Sequence, residues 1–402
     1  MQDISKPTKP EDGQLGQLGQ VPVTSAYILD GGAVRVWHEA SDDRLKRALA
    51  QQGITRFLKQ DELTEVSGGI VLIRPDIVID GPALRALMDC PGVVLLSSRP
   101  DSGIPVAAHV SPELALMAAT ILTSLYCSML PDGMRAVTSE ELASTYWQAL
   151  RKREIPYVMT VSEPDIRAVE WRMFLGIYKG ATDFVTKWLW PRPAFYVTRL
   201  CAKFGITPNQ VTSLSLVLVF GALYWFYNGD WIPGLIAAWI MTFLDTVDGK
   251  LARITLNSSK FGNVFDHSID LITPPFWYAA WGMGVMASTY ALGQSAFVLV
   301  LGIIIAGYVV QRIVEGISIA WFKIEIHVWR PVDTFFRQIT ARRNPNLVLL
   351  TFGAIAGRPD WGLIAVAAWT AISLGFHLLQ IVQAAMVMRR DGRLVSWMAL
   401  GE

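Results

Sequence analysis

The chain has 402 residues, of which 52% are hydrophobic and only 17% are charged. This composition favours a membrane protein over an ordinary soluble one. The formal net charge of +1 gives no reason to expect nucleic acid as a partner. The three cysteines, Cys90, Cys127 and Cys201, are too few and too widely spaced for a disulfide framework or a thiolate metal site, so we expect reduced packing residues.

The first part of the sequence has the pattern of a soluble α/β domain. Residues 1–23 are polar and lack the apolar core of a signal peptide, which predicts a disordered lead-in. Residues 24–164 alternate apolar β-branched runs, such as 68–79, with amphipathic helical segments, such as 42–54. This alternation predicts a cytoplasmic α/β domain with a largely parallel sheet, and a helix from 139 onward with Ser139 as its N-cap.

The run at 68–79 followed by a short helix resembles sugar-phosphate nucleotidyltransferases. That resemblance implies a metal-holding aspartate, which would fall on Asp76. The glycine-rich loop that would hold a triphosphate is missing, because Gly31 and Gly32 are followed by Ala33 and Val34. We therefore expect a degenerate nucleotidyltransferase-like domain that serves dimerisation, docking or regulation.

Aromatic and basic residues mix at near-helical spacing between 165 and 206. This mixture suits the lipid headgroup layer, so we predict interfacial helices that Pro191 and Pro193 break in two. A six-helix membrane domain is expected at 207–392, followed by a tail at 393–402. Its six apolar runs lie at 208–227, 231–252, 263–288, 294–321, 346–358 and 361–388.

The loops of this membrane domain differ in charge. Lysine and arginine are concentrated before the first run, between the second and third, between the fourth and fifth, and after the sixth. The positive-inside rule then predicts a multi-pass protein of the cell's inner membrane, with both termini in the cytoplasm. The stretch between the second and third runs would face the cytoplasm as well.

That stretch places four carboxylates where ionisable groups are costly and therefore usually functional. Asp245 and Asp248 share one stripe of a helix, and Asp266 and Asp270 share one stripe of the next. Two antiparallel helices can bring the stripes together around one cavity. Oxygen ligands at this density suit Mg²⁺ or Mn²⁺, and a pair of ions with nearby cations suits a diphosphate substrate.

The pattern DxxDGxxAR at 245–253, eight residues, then GxxxDxxxD at 262–270 resembles the signature of the CDP-alcohol phosphotransferase family. The segment TPNQVT at 207–212 is similar to another segment of that family. The resemblance implies transfer of a substituted phosphate from a CDP-alcohol to a hydroxyl acceptor, with release of CMP. It implies metal ligation by Asp245, Asp248, Asp266 and Asp270, general-base catalysis by Asp270, and nucleotide binding by Asn209, Thr212, Asp248, Gly249, Ala252, Arg253 and Gly262.

The substrates are less defined than the reaction. Arg342 and Arg343 suit bidentate binding of an acceptor phosphate, although loop charge set by topology explains them equally well. The layout resembles the di-myo-inositol phosphate phosphate synthase branch, which implies CDP-inositol and an inositol phosphate. A CDP-diacylglycerol-dependent phosphatidyltransferase is the alternative, and a cation transporter or an inert membrane-anchored binding module would be a different class. The lipid bilayer and a second copy of the chain, in a homodimer, are the expected partners.

Overall fold

The computed structural model describes residues 22–32, 34–98, 103–124 and 130–400. The predicted lead-in therefore lies almost wholly outside the described residues, and Cys127 lies outside them too. In the described part, Cys201 is a free thiol, as expected. The chain divides into two compact units. The first comprises residues 1–148, 153–176 and 402, and the second comprises 149–152 and 177–401.

The first unit is built around a five-stranded sheet with the order β1-β4-β7-β6-β8. The described strands of the chain are β1 (Val23–Ile28), β2 (Arg35–Val36), β3 (Glu39–Ala40), β4 (Gly69–Ile73), β5 (Ile77–Ile79), β6 (Val93–Leu96), β7 (Pro105–Val110), β8 (Arg135–Val137), β9 (Tyr146–Trp147), β10 (Lys152–Arg153) and β11 (Val158–Thr160). The helices of this unit are α1 (Ser41–Gln51), α2 (Gly81–Asp89), α3 (Pro112–Thr123), α4 (Ser139–Leu142) and α5 (Ile166–Gly176).

The sheet is mixed, so the prediction of a largely parallel sheet is wrong. β1 runs parallel to β4, and β6 runs parallel to β8. β7 lies between β4 and β6 and is antiparallel to both. Apolar residues of α1 and α2 pack on one face of the sheet and those of α3 on the other. The strands are therefore buried on both faces, which is why the sequence shows continuous apolar runs without alternation.

The predicted helix from Ser139 is a single turn, and its N-cap is Thr138. The Thr138 hydroxyl accepts from the Glu141 amide at 3.3 Å, and the Glu141 carboxylate accepts from the Thr138 amide at 2.8 Å. This reciprocal pair is a capping box. The Ser139 hydroxyl instead donates to the carbonyl of Pro156 at 2.7 Å, and the chain continues into β9. Tertiary hydrogen bonding has overridden the local helical pattern.

Asp80 is a buried acidic residue that joins α2 to the segment before β11 in the first unit. Its carboxylate caps α2 by accepting from the Ala83 amide at 2.8 Å, and it accepts from the Tyr157 amide at 3.1 Å. Burial raises the pKa of Asp80 to about 6. Asp76, the aspartate that the nucleotidyltransferase resemblance singled out, is instead paired with Arg74 through two hydrogen bonds of 2.9 and 2.6 Å.

The second unit is helical. Its helices are α6 (Pro191–Lys203), α7 (Pro208–Tyr227), α8 (Trp231–Ile254), α9 (Lys260–Met286), α10 (Gln294–Phe322), α11 (Pro331–Phe336), α12 (Arg343–Ile355) and α13 (Pro359–Asp391). Pro191 begins α6, so the predicted break between the interfacial segments is present. α6 buries Phe195 and Thr198 but exposes Tyr196 and Leu200, as expected of a helix with one side available to lipid headgroups.

Helices occupy all six predicted membrane runs. Within the described residues, α7, α8, α10 and α13 are long and apolar enough to cross a membrane by length and composition. α9 has 27 residues but contains the acidic motif together with Pro274 and Pro275, and α12 has only 13 residues. The structure therefore shows a membrane-type helical unit, and the count of six spans stays a prediction.

We expect Asp80→Ala to destabilise the protein by about 1–3 kcal/mol, because it removes a helix cap and leaves the Tyr157 amide buried without its acceptor. Asp76→Ala is the matched control, since the partly exposed pair with Arg74 should contribute less than about 1 kcal/mol. Thermal unfolding of the full chain in detergent measures both variants. Equal losses would show that Asp80 is no more important to the fold than a surface ion pair.

Candidate active site

Three carboxylates meet where α8 faces the first turns of α9. One ligand oxygen each from Asp245, Asp248 and Asp266 lie within 4.8 Å of one another, and we call these residues the acidic cluster. The chain turns sharply between the helices, with Leu256 in the left-handed region at φ 54°. The Ser259 hydroxyl then caps α9 by accepting from the Gly262 amide at 2.9 Å. The predicted facing of the two acidic stripes is present for these three residues.

Asp248 is the most deeply buried member of the acidic cluster. The Thr212 hydroxyl on α7 donates to its Oδ2 at 2.6 Å. Its Oδ1 is buried and has no hydrogen-bond partner among the described residues. Thr212, for which the sequence predicted nucleotide binding, therefore positions a predicted metal ligand in this structure. A buried carboxylate oxygen without a partner is costly unless a cation binds it.

Asp270 lies beside the acidic cluster and is joined to it through Arg343. One guanidinium nitrogen of Arg343 donates to Asp270 and the other to Asp245, the latter at 2.5 Å. The Asp270 side chain is 42% exposed, against 21% for Asp245. Asp270 is thus the predicted site acid that remains most open to an incoming molecule. Arg343 contacts the acids themselves, which the sequence analysis did not anticipate.

Two of the motif's small residues have different surroundings. A Cβ atom on Gly262 would lie 2.5 Å from Oδ1 of Asn209 on α7 and 3.0 Å from the Ser259 hydroxyl, so a larger residue would displace these side chains. A Cβ atom on Gly249 would meet only the Arg253 guanidinium, at an ordinary 3.7 Å. Gly262 therefore allows the Asn209 side chain to lie beside the motif. Gly249 leaves free space on the α8 stripe.

The residues of this site fit a hard divalent cation. Its donors are carboxylate oxygens, with no thiolate or imidazole among the three clustered ligands, and such oxygens suit Mg²⁺ or Mn²⁺. The unpartnered Oδ1 of Asp248 supplies an acceptor for the ion. The guanidinium groups of Arg253 and Arg343 lie in electrostatic range of the cluster and could face the anionic part of a substrate.

Arg342 lies in a separate polar group centred on Glu315 of α10. The Glu315 carboxylate accepts from Arg342 and, at 2.8 Å, from Arg312, and it lies 3.0 Å from Nε2 of His327. Gln380 of α13 donates to Asp333 of α11 at 2.7 Å, a hydrogen bond between two helices. Both ring nitrogens of His377 are buried without a hydrogen-bond partner within the described chain.

Two cations near Arg342 were not identified from the sequence. Arg337 follows α11 and is 9% exposed, and its Nε and Nη1 have no hydrogen-bond partner in the described ranges. Burial and the positive charges of Arg342 and Arg151 lower the pKa of Arg337. Burial and the charges of Arg151, Arg253 and Arg337 lower the pKa of Lys179 to about 8. We call Arg151, Lys179, Arg337 and Arg342 the basic cluster.

The remaining charged residues of the motif region have structural contacts. Lys250 is buried, its ammonium lies 3.3 Å from the ring centroid of Tyr178, and it donates to the carbonyl of Ile177 at 3.4 Å. This is a cation–π contact away from the acids. His267 is largely exposed, with Nδ1 at 3.7 Å from a carboxylate oxygen of Asp266.

Part of the chain matches a known protein family. Residues 205–370 match the sequence profile of the CDP-alcohol phosphatidyltransferase family. This part of the chain is similar to a CDP-alcohol phosphatidyltransferase domain. All four motif aspartates, Asn209, Thr212, Arg342 and Arg343 lie inside this domain, whereas Lys179 and Arg151 lie outside it.

Individual relatives cover parts of the chain. Archaetidylinositol phosphate synthase of Pyrococcus horikoshii is 39% identical over 83 residues, which are 20% of this chain and 44% of that protein. Phosphatidylinositol phosphate synthase of Streptomyces avermitilis is 24% identical over 223 residues, 53% of this chain and 82% of that protein. The Mycobacterium marinum protein of the same name is 30% identical over 107 residues, which are 25% of this chain and 46% of that protein. This chain thus spans less than half the length of the first and third of these relatives.

Solved structures of Mycobacterium tuberculosis phosphatidylinositol phosphate synthase are also similar. The structure with CDP-DAG bound has a TM-score of 0.38 and 20% identity, covering 47% of this chain and 94% of that chain. The complex with manganese and citrate has a TM-score of 0.37 and 19% identity, covering 47% and 88%.

The two glycines of the CDP-alcohol phosphatidyltransferase motif provide a matched test of the site. We expect Gly262→Ala to weaken Mn²⁺ binding by about threefold or more, because the new methyl group displaces the Asn209 side chain and crowds the Ser259 hydroxyl that caps the helix carrying Asp266. Gly249→Ala should change Mn²⁺ affinity by less than about twofold, since its methyl group meets only Arg253. Electron paramagnetic resonance titration of the purified protein measures both. Unchanged affinity in Gly262→Ala would contradict this account of the packing.

Proposed function

We propose that the chain is a membrane transferase that moves a phosphatidyl-type group from a CDP-alcohol to a hydroxyl of a polyol phosphate and releases CMP. The observation that carries this proposal is the acidic cluster, Asp245, Asp248 and Asp266, whose oxygens lie within 4.8 Å of one another in the part of the chain that is similar to a CDP-alcohol phosphatidyltransferase domain. Carboxylates at this density in a membrane-type unit require cations, and Arg253 and Arg343 add the charge that suits a diphosphate.

The residues divide the chemistry between them. Asp245, Asp248 and Asp266 would hold Mg²⁺ or Mn²⁺, in one or two ions, and bound metal would supply charge neutralisation at the diphosphate. Asp270 would take the proton from the attacking hydroxyl, as its exposure allows. The acceptor oxygen forms a bond to phosphorus while the bond between phosphorus and the CMP oxygen breaks. Arg343 orients Asp270 and Asp245 through its two guanidinium nitrogens.

The relatives favour a lipid donor. Proteins named phosphatidylinositol phosphate synthase and archaetidylinositol phosphate synthase match this chain. Each name describes a lipid that carries an inositol phosphate headgroup. We therefore place CDP-diacylglycerol or a related CDP-lipid before CDP-inositol as the donor, and we keep an inositol phosphate type of acceptor. The nucleotide would contact Gly249, Ala252 and Arg253, where the α8 stripe leaves space.

The basic cluster supports a phosphorylated acceptor. The sequence suggested Arg342 and Arg343 for the acceptor phosphate, but Arg343 contacts the acids. Arg342 has Arg337 as a basic neighbour, and the charge of Arg337 acts in turn on Lys179. Arg337 keeps two donors without partners in the described chain. Unpartnered buried arginine donors suit a phosphate, which accepts several hydrogen bonds at once.

We also propose that the first unit is a cytoplasmic, degenerate nucleotidyltransferase-like domain that serves dimerisation, docking or regulation. The pairing of Asp76 with Arg74 supports a first unit without nucleotidyltransferase activity. We further propose a homodimer in the cell's inner membrane, with both termini and the acidic cluster at the cytoplasmic face. The concentration of lysine and arginine in alternate loops supports this orientation.

We expect Asp266→Asn and Asp270→Asn each to reduce CMP release by at least about 1,000-fold, because the first removes a metal ligand and the second removes the proposed base. Asp360→Asn is the control, since that carboxylate is paired with Arg358 and lies outside the acidic cluster. The assay measures CMP from CDP-diacylglycerol with myo-inositol 1-phosphate in detergent and Mn²⁺. Full activity of either motif variant would contradict the proposed chemistry.

The acceptor site should depend on pH through Lys179. Its ammonium is protonated below its pKa of about 8 and neutral above it, so acceptor binding should weaken as pH rises through 8. We expect KM for the acceptor to rise about tenfold between pH 7 and 9, and Lys179→Arg to suppress most of that rise. Steady-state kinetics at saturating donor measure the effect. A rise of equal size in Lys179→Arg would assign the titration to another group.

A further inference from the structure

Arg151 has a strained backbone that the rest of the second unit holds in place. Its φ is 51°, in the left-handed region that a side chain with a Cβ atom rarely adopts. The amide of Gly180 donates to the carbonyl of the preceding Leu150 at 2.9 Å. A Cβ atom on Gly180 would collide with the Arg151 carbonyl, so the glycine permits this close contact. Strain maintained by surrounding structure is a reason to examine what the side chain does.

The Arg151 side chain is directed into the group of charges beside Arg342. Its Nε lies 2.5 Å from Oε2 of Glu325. Its positive charge acts on both Lys179 and Arg337. The contact with Glu325 is an ion pair without hydrogen-bond geometry, so Nε is a buried donor with no hydrogen-bond partner among the described residues. The guanidinium therefore keeps a donor available after pairing with Glu325.

The charges around Arg151 do not balance. With Arg312 and with Arg253, whose charge also acts on Lys179, the basic cluster provides six cations. The carboxylates that face them are Glu315, Glu325, Asp183 and Asp266. Six positive and four negative charges leave an excess of two. A buried excess of this size is unfavourable unless an anion offsets it. A phosphate monoester, which carries close to two negative charges at neutral pH, matches both the excess and the available donors.

We propose that Arg151 is a specificity-determining residue that binds the phosphate of the acceptor together with Lys179 and Arg337. This inference rests on the proposed function, because it names a further residue of the same acceptor site. Arg151 lies outside residues 205–370, so the family domain does not supply it. The segment 149–152 nevertheless groups with the catalytic unit. Recognition of the phosphorylated acceptor thus depends on a part of the chain that precedes the membrane domain.

The decisive variant is Arg151→Gly. Glycine adopts positive φ without strain, so this change removes the guanidinium and leaves the backbone conformation favourable. Arg151→Lys keeps a charge but loses the planar group of donors. Arg153→Gln is the matched control, because Arg153 is an exposed arginine two residues away. Thermal unfolding of the full chain in detergent checks that all three variants remain folded, which we expect.

The test measures binding of myo-inositol 1-phosphate and of inorganic phosphate by isothermal titration calorimetry, alongside KM for acceptor and donor. We expect Arg151→Gly to weaken binding of both probes and to raise acceptor KM by about tenfold or more, with donor KM within about twofold of the wild type. Arg151→Lys should give an intermediate loss, and Arg153→Gln should give none.

Unchanged phosphate binding in Arg151→Gly would overturn the proposal, and so would a wild-type protein that binds neither probe. The reaction class is tested separately by CMP release from CDP-diacylglycerol with saturating myo-inositol 1-phosphate, and with unphosphorylated myo-inositol as a second acceptor that needs no phosphate site. CMP release without phosphate binding would leave the transferase assignment standing and remove the role of Arg151. Phosphate binding that depends on Arg151 in a protein that releases no CMP would support this inference and contradict the proposed function.

Discussion

The mutual repulsion of the carboxylates in the acidic cluster is the constraint that shapes the second unit. Three acids within 4.8 Å of one another are unfavourable in a membrane-type interior unless donors and cations surround them. The Thr212 hydroxyl meets Asp248 from α7, and the Arg343 guanidinium meets Asp245 and Asp270 from α12. Each of the helices that bound the site therefore contributes either an acid or a group that stabilises one.

The position of Arg343 depends in turn on residues outside the membrane helices. Asn344 donates to Asp183 at 3.0 Å, and the Phe184 amide donates to the carbonyl of Gln338 at 3.0 Å. Asp183 also accepts from the Thr186 amide, which closes the turn before α6. The segment 183–184 before α6 is thus hydrogen-bonded to Gln338 and to the first turn of α12. Movement of that segment would shift Arg343 and, through it, the acids that Arg343 contacts. The short α12 is therefore better understood as part of the site than as a simple membrane span.

The acidic site could be predicted from sequence because helical periodicity determines which residues share a stripe, and Asp245, Asp248 and Asp266 needed nothing more. The six helices followed from apolar length. The partners of Arg343 and the grouping of Arg151 with Lys179 and Arg337 could not be predicted, because they join segments far apart in sequence and no spacing rule connects them. The mixed sheet and the one-turn helix at Ser139 were missed for a related reason, since β7 pairing and the Pro156 carbonyl are tertiary contacts.

The contrast between residues related by helical spacing and residues from distant segments also applies to the proposed recognition of donor and acceptor. The CDP portion is common to every donor of such a transferase, so its contacts can be encoded in a compact motif on two adjacent helices.

The acceptor differs between enzymes, and its recognition requires groups that can change without disturbing the acids. The basic cluster meets that requirement, because its members come from the 149–152 segment, the 177–184 segment and the loop before α12, none of which lies on α8 or α9. Arg253 lies between the two sets, since its charge acts on Lys179 and it is in electrostatic range of all three acids. If the basic cluster holds the phosphate of the acceptor, the hydroxyl groups of that acceptor would therefore be directed toward the acidic cluster. The phosphate would then not compete with the carboxylates for the metal ion.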